Sequence, residues 1–137
     1  MIIYVHSDAS YLYAPCARSC AGGHYFLSGR SPVPKKPPRT RPRINEPIHT
    51  VYKIMYNIMG YAAEAEIGAT YINIQEADPI RTLLCELGHP KPTTPMQVYN
   101  STAVGFANDT IKQKRSKAID MHFYWIREHT RRGQLLV

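Results

Sequence analysis

The sequence contains little cysteine and no long apolar run, and each shortage excludes a class of protein. Its three cysteines are too few for a disulfide-stapled scaffold, and an odd number cannot all pair. No apolar stretch approaches the roughly 20 residues that a membrane-spanning helix needs. The N-terminus also lacks a basic segment and a signal-cleavage pattern. We therefore expect an intracellular protein, cytoplasmic or nuclear, whose thiols are reduced.

Acidic residues are scarce relative to basic ones. Ten Asp and Glu residues stand against 17 Lys and Arg residues, which gives a net charge of +7. This balance favours a polyanionic partner such as a nucleic acid. The length of 137 residues suits one domain with a single core, and the hydrophobic fraction of 44% is typical of a globular chain. We therefore treat residues 1–137 as one domain.

The even spacing of Cys16, Cys20 and His24 is compatible with a metal site. Zinc sites do combine cysteine with histidine, but they use ligand pairs of a different spacing and a fourth ligand. No fourth ligand stands close to these three residues, so we favour free thiols over a zinc site.

Three strands are predicted in the first half of the chain. Residues 2–8 form an apolar-rich run that carries Asp8 at its end, and residues 24–28 are a second strand after a loop of small residues over 11–22. Residues 48–59 alternate and predict a third strand with one buried face. The side chains expected on that buried face are Ile48, Tyr52, Ile54, Tyr56 and Ile58.

Residues 30–47 differ from their surroundings because they are dense in proline, lysine and arginine. Proline cannot donate a ladder hydrogen bond, so this segment is predicted to be an extended loop between the second and third strands. Two interpretations stay open for its charge. It is either a solvated linker, which we favour, or an arm that contacts nucleic acid.

A helix is predicted next, because apolar residues recur at helical spacing. The stripe consists of Ala63, Ile67, Thr70, Tyr71 and Ile74. Asp78 and Pro79 then have the pattern of an N-cap followed by a first helical residue, which predicts that a second helix begins there.

Shorter elements are predicted downstream. A strand over residues 96–100 contains Tyr99 near its end, and residues 101–107 predict a brief helix. A basic loop follows, with the cationic side chains Lys112, Lys114, Arg115 and Lys117.

The last predicted helix has Phe123 and Ile126 facing inward, and residues 134–137 read as the beginning of another strand. The resulting order is β-β-β-α(α)-β-α-α-β. Three meandering strands followed by alternating helices and strands indicate an α/β protein, with a mixed sheet and helices on its faces.

Five segments stand out together: YVHSDAS at residues 4–10, ARSCAGGH at 17–24, AAEAE at 62–66, NSTA at 100–103 and KAIDMHFYWIRE at 117–128. In this order they resemble the ribonuclease H domain of copia-type LTR retrotransposon polyproteins. The likeness covers nearly the whole chain and is weakest through the proline-rich loop. It implies the ribonuclease H-like fold, in which three antiparallel strands precede alternating helices and strands.

The resemblance implies a metal-dependent nuclease. Members of that family hydrolyse the RNA strand of RNA/DNA hybrids with two Mg²⁺ or Mn²⁺ ions, which a cluster of carboxylates holds. By resemblance, Asp8 and Glu66 are the catalytic metal ligands. Glu64 belongs to the same motif, but two positions along a helix it points about 200° away from Glu66. We expect it to be structural or solvent-facing.

The resemblance also implies partners. The substrate is the hybrid, and a reverse transcriptase is the expected fused neighbour in an intact polyprotein. The basic loop, with Lys112, Lys114, Arg115 and Lys117, is a candidate for contacts with nucleic-acid phosphates; the alternative is a solvated charged turn.

Two of the family's four carboxylate positions depart from its pattern here. The strand-ending motif is Asp-Asn in the family and Tyr99-Asn100 in this chain, and a phenol is neutral at pH 7 and binds Mg²⁺ poorly. The fourth carboxylate is expected on a helix after the last strand, and this sequence stops at Val137 within that strand. Asp120 lies in the preceding helix, where we favour a surface or capping group over the alternative of a metal ligand.

Two functional hypotheses follow. The chain is an active ribonuclease H, or it is inactive and serves at most as a basic nucleic-acid-binding module, with a decayed fragment as the extreme case. We favour the second, because two acids leave the charge of two metal ions largely uncompensated. Mg²⁺ is then expected to bind weakly or not at all.

Overall fold

The structure is a computed structural model that describes residues 1–28, 45–56, 59–90, 93–108 and 120–137. Most of the predicted proline-rich loop lies outside these residues. The predicted basic loop, with Lys112, Lys114, Arg115 and Lys117, lies wholly outside them. The elements are β1 (Ile2–Ala14), β2 (Arg18–Ser28), β3 (His49–Ile54), α1 (Ala62–Glu86), β4 (Thr94–Val98), α2 (Ser101–Ala107), α3 (Asp120–Arg131) and β5 (Leu135–Leu136).

The strands form one mixed sheet in the order β3-β2-β1-β4-β5. The first three strands pair antiparallel, and β4 runs parallel to β1 and to β5. Antiparallel neighbours need only a turn, whereas each parallel neighbour needs a crossover, which the helices supply. The predicted mixed sheet of an α/β protein is confirmed.

Strands β1 and β2 extend well beyond their predicted ends, so the predicted loop over residues 11–22 is wrong. The two strands form one long hairpin, whose turn places Cys16 and Ala17 at positive φ, 62° and 52°. Ser19 and Ala21 in β2 are fully buried. Small residues there let the neighbouring elements approach closely, and this tertiary packing outweighs their weak intrinsic preference for strands.

The predicted orientation of β3 is also wrong. Tyr52 and Tyr56 are 69% and 89% exposed, whereas Val51 and Met55 are buried. Strand β3 lies at the edge of the sheet and carries apolar side chains on both of its faces. Alternation therefore marks a strand here without indicating which face the helices cover.

Helix α1 runs unbroken for 25 residues, with Pro79 inside it. The predicted second helix start at Asp78 and Pro79 is therefore wrong. Pro79 cannot donate to the carbonyl of Gln75, but both residues are exposed, so water can hydrate that carbonyl. The buried side of the helix continues past this point through Ala77 to Leu84.

The helices form a layer on one face of the sheet. Helix α1 crosses β1 and β2, and α2 and α3 pack beside it. The predicted inward stripes are confirmed, since Ile67 and Ile74 of α1 are buried with Phe123 and Ile126 of α3. Within the described ranges, none of the helices is both long and apolar enough to cross a bilayer.

Candidate acidic site

The fold brings Asp8 and Glu66 together. Asp8 is exposed on β1, and Glu66 lies one turn into α1 with 7% of its surface exposed. The backbone N–H of Ala9 donates to Asp8 Oδ1 at 2.9 Å. The same N–H lies close enough to the Glu66 carboxylate to lower its pKa. The two carboxylates thus lie near one backbone N–H.

The start of α1 is fixed beside β1 by the backbone of Gly60. Its N–H donates to Glu64 Oε2 at 2.5 Å, and its carbonyl accepts a hydrogen bond from Tyr11 Oη at 2.9 Å. Glu64 is buried, so its structural role is confirmed and the solvent-facing alternative is wrong. A carboxylate in the first helical turn also interacts favourably with the helix dipole.

Two turns further along α1, Asn73 ties the helix to the sheet. Its Nδ2 donates to Ser7 Oγ and to the Gly22 carbonyl, both at 2.8 Å, and its Oδ1 accepts from Tyr25 Oη at 2.9 Å. Asn73 is fully buried, and burial raises the pKa of Tyr25. This hydrogen-bonded group was not predicted from the sequence, in which the corresponding feature is an asparagine next to Ile74 in an apolar helix.

Burial of Glu66 controls the charge of Asp8 and Glu66, which we call the acid pair. Burial first, and the negative charge of Asp8 second, raise the pKa of Glu66 from 4.5 to about 7. Among the described residues, Glu66 Oε2 has no hydrogen-bond partner. At neutral pH Glu66 is therefore ionised only in part, and a bound cation would favour its ionised form.

We expect Glu66→Gln to stabilise the protein at pH 8 and to have little effect at pH 5. Because the folded pKa lies above the unfolded value, the folded state binds the extra proton between pH 4.5 and about 7. The free energy of unfolding of the natural protein therefore falls as pH rises through this window, by about 2 kcal/mol. Urea denaturation in EDTA across this range measures the effect. Glu86→Gln, at the exposed end of α1, is the control, and equal pH dependence in the two variants would contradict the prediction.

Tyr99, the residue after β4, lies at the level of Asp8 on β1. Val98, the last residue of β4, pairs with Ser7, so the next residues in this parallel register are Asp8 and Tyr99. Tyr99 is 65% exposed. Tyr99, the position that the resemblance marks as substituted, thus lies beside the acid pair.

The residues that the sequence analysis weighed as ligands and disfavoured lie elsewhere. Asp120 begins α3, and its side chain is outside the described part of the structure. Cys20 is buried with Sγ 3.1 Å from Tyr52 Oη, while Cys16 is exposed in the hairpin turn. Over the described ranges, no three His, Cys, Asp or Glu side chains group closely enough to hold a metal ion.

Chemically, the pair suits a single hard cation. Mg²⁺ retains several waters and needs only one or two carboxylates from the protein. Exposed Asp8 would face a substrate, and buried Glu66 would anchor the ion from the protein side. Two adjacent dications require more carboxylates than this pair supplies.

Comparison with models of known protein families gives no match, and comparison with curated proteins gives none either. The residues and their geometry are therefore the basis for assigning a function.

Proposed function

We propose that this chain is a ribonuclease H-like domain of the copia retrotransposon type, which binds nucleic acid beside a weakened metal site. The observation that carries the proposal is the meeting of Asp8 on β1 with Glu66 in α1. The resemblance assigns metal-ligand roles to these two residues, which are far apart in sequence. A chance likeness between sequences gives no reason for these two carboxylates to lie close enough to interact electrostatically.

The sheet supports the same proposal. Three consecutive antiparallel strands are followed by a helix, a parallel strand, two further helices and another parallel strand. This is the arrangement that the resemblance implies. In an intact polyprotein of this type, a reverse transcriptase would be the fused neighbour, and the cytoplasm or nucleus the place of action.

The metal site is proposed to hold one Mg²⁺ or Mn²⁺ weakly. Asp8 and Glu66 fit a single hydrated ion, and neutral Tyr99 adds no charge to hold a second one. When bound, the ion would supply Lewis-acid stabilisation of a phosphate oxygen. With one ion rather than a pair, we expect little or no hydrolysis of the RNA strand, and binding through the excess of basic residues.

The test compares the natural chain with Asp8→Asn, using a labelled RNA/DNA hybrid and Mn²⁺. We expect salt-dependent binding of the hybrid by both proteins, no cleavage above the Asp8→Asn background, and at least about tenfold weaker Mn²⁺ binding by the variant. Asp78→Asn, on α1 outside the acid pair, is the matched control and should bind Mn²⁺ like the natural chain.

Two results would contradict parts of the proposal. Unchanged Mn²⁺ binding by Asp8→Asn, with no binding of the hybrid, would remove the assigned site and function. Robust cleavage that Asp8→Asn abolishes would show an active nuclease, and the weakened site would be wrong.

A further inference from the structure

The sheet face opposite the helices carries a row of residues in which two exposed tyrosines flank Asp8 of the acid pair. The register places Tyr52 of β3 opposite Gly22 of β2, and Gly22 opposite Asp8 of β1. Tyr99 follows at the same level, after β4. We call this surface the open face; its two tyrosines are 69% and 65% exposed. Three strand spacings separate them, which is about 14 Å.

Between the two tyrosines, few side-chain atoms cover the backbone of the open face. Gly22 has no side chain, and the nearest atom to a Cβ built there would be the Asp8 carbonyl oxygen at 3.7 Å. Tyr52 Oη contacts Cys20 Sγ at 3.1 Å, which fixes the direction of its ring. The row therefore consists of two aromatic rings separated by an accessible strip of backbone.

The neighbouring row on this face is polar. It contains Thr50, His24, His6 and Gln97, which are cross-strand partners in that order. His24 Nδ1 and Thr50 Oγ1 lie 3.3 Å apart. These side chains offer hydrogen-bond donors and acceptors beside the tyrosines. They could therefore hydrogen-bond to the edges of planar ligands that stack on the tyrosine rings.

We propose that the open face binds single-stranded nucleic acid, with bases stacked on Tyr52 and Tyr99. Exposed aromatic rings combined with a basic protein are the features by which unpaired strands are held, because every base offers a ring face. The net charge of +7, a property of the whole chain, favours the phosphates. Within the row Asp8 is the carboxylate, and Glu66 of α1 lies close enough for the charge of Asp8 to affect it.

Single-stranded nucleic acid fits this surface better than a second copy of the chain. Stable interfaces between identical subunits are more apolar at their centre, whereas here Asp8 lies between the tyrosines and two histidines and a threonine lie in the adjacent row. The inference goes beyond the proposed function, since the bases of a hybrid duplex are already stacked and their ring faces are not available to tyrosine.

The test is fluorescence anisotropy of labelled oligo(dT), oligo(rU) and a matched RNA/DNA hybrid, in EDTA so that metal binding plays no part. We expect Tyr52→Ala and Tyr99→Ala each to weaken binding of the single strands on the order of tenfold. Tyr52→Phe and Tyr99→Phe should retain most of the affinity, because the ring is retained. The matched control is Tyr124→Ala on α3, where the tyrosine is 63% exposed.

The outcomes separate this inference from the proposed function, which the Mn²⁺ and Asp8→Asn measurements test. Equal single-strand binding by the natural chain and both alanine variants would overturn this inference. It would also be overturned if the alanine variants lost binding of the hybrid as strongly as binding of the single strands. A dimer that Tyr52→Ala dissociates, without any single-strand binding, would assign the face to a second copy instead. Crosslinking of 4-thiouridine-labelled oligo(rU) to Tyr52 or Tyr99 of the natural chain would support it independently of variant folding.

Discussion

Gly23→Ala is expected to destabilise the protein by about 4 kcal/mol, enough to abolish a cooperative unfolding transition in a marginally stable domain. A Cβ at this position would overlap Asn73 Oδ1 and lie 2.7 Å from Asn73 Cγ. Asn73 cannot move aside without breaking its hydrogen bonds to Ser7, Tyr25 and the Gly22 carbonyl. The cost therefore combines overpacking with the loss of buried hydrogen bonds. Urea denaturation followed by circular dichroism measures it.

The adjacent glycine supplies a matched control. A Cβ at Gly22 would meet the Asp8 carbonyl oxygen at 3.7 Å, an ordinary contact. Gly22→Ala should therefore change the free energy of unfolding by less than about 1 kcal/mol. Similar destabilisation by the two substitutions would show that strand propensity, rather than the fit of Asn73, determines the effect.

A double substitution tests the physical cause. Asn73→Ala alone removes the hydrogen bonds and leaves buried Ser7 and Tyr25 hydroxyls without this partner, so it should also be strongly destabilising. In Gly23→Ala/Asn73→Ala the clash is relieved. We expect the double variant to be at least about 1 kcal/mol more stable than the sum of the single effects predicts. Strict additivity would contradict direct contact.

The hydrogen bonds of Asn73 also matter for the acidic site. Asn73 lies two turns after Glu66 on the same helix and holds that helix against β1, the strand that carries Asp8. A shift of α1 along the sheet would separate the two carboxylates. The site thus depends on a buried polar group that has no chemical role of its own.

Periodicity predicted the parts of the fold in which one side of an element is apolar and the other is not. The stripes with Ile67 and Ile74 in α1, and with Phe123 and Ile126 in α3, are of this kind. Periodicity failed to predict the buried face of β3. Tyr52 and Val51 are both apolar enough to be buried, and the position of α1 determines which of the two is. Local residue preference suggested a helix start at Pro79, and packing of the continuous buried side outweighed it.

The site was predictable in part. Asp8 and Glu66 came from a resemblance between sequences, and the structure brings them together. The raised pKa of Glu66 was not predictable, because it depends on burial between β1 and α1. Nor was the Asn73 group, whose side-chain partners Ser7 and Tyr25 are 66 and 48 residues away in the chain. Such contacts leave no local pattern.

Tyr99→Asp is expected to strengthen Mn²⁺ binding by at least about tenfold, because it places a third carboxylate at the level of Asp8. Added negative charge close to a dication gives a large favourable Coulomb interaction, and carboxylate oxygens are hard ligands of the kind that Mg²⁺ and Mn²⁺ prefer. The same variant should lose single-strand binding in EDTA, because the stacking ring is gone and the new charge repels phosphates.

Tyr99→Asn separates the new charge from the loss of the ring. It has the size of aspartate without its charge, so it should lose single-strand binding while leaving Mn²⁺ affinity close to that of the natural chain. Isothermal titration calorimetry with Mn²⁺, at a pH above 7 where Glu66 is mostly ionised, measures the difference directly. If Tyr99→Asp and Tyr99→Asn bind Mn²⁺ equally well, the position beside Asp8 does not reach the ion. Tyr99 would then not be the reason that the acid pair is weak.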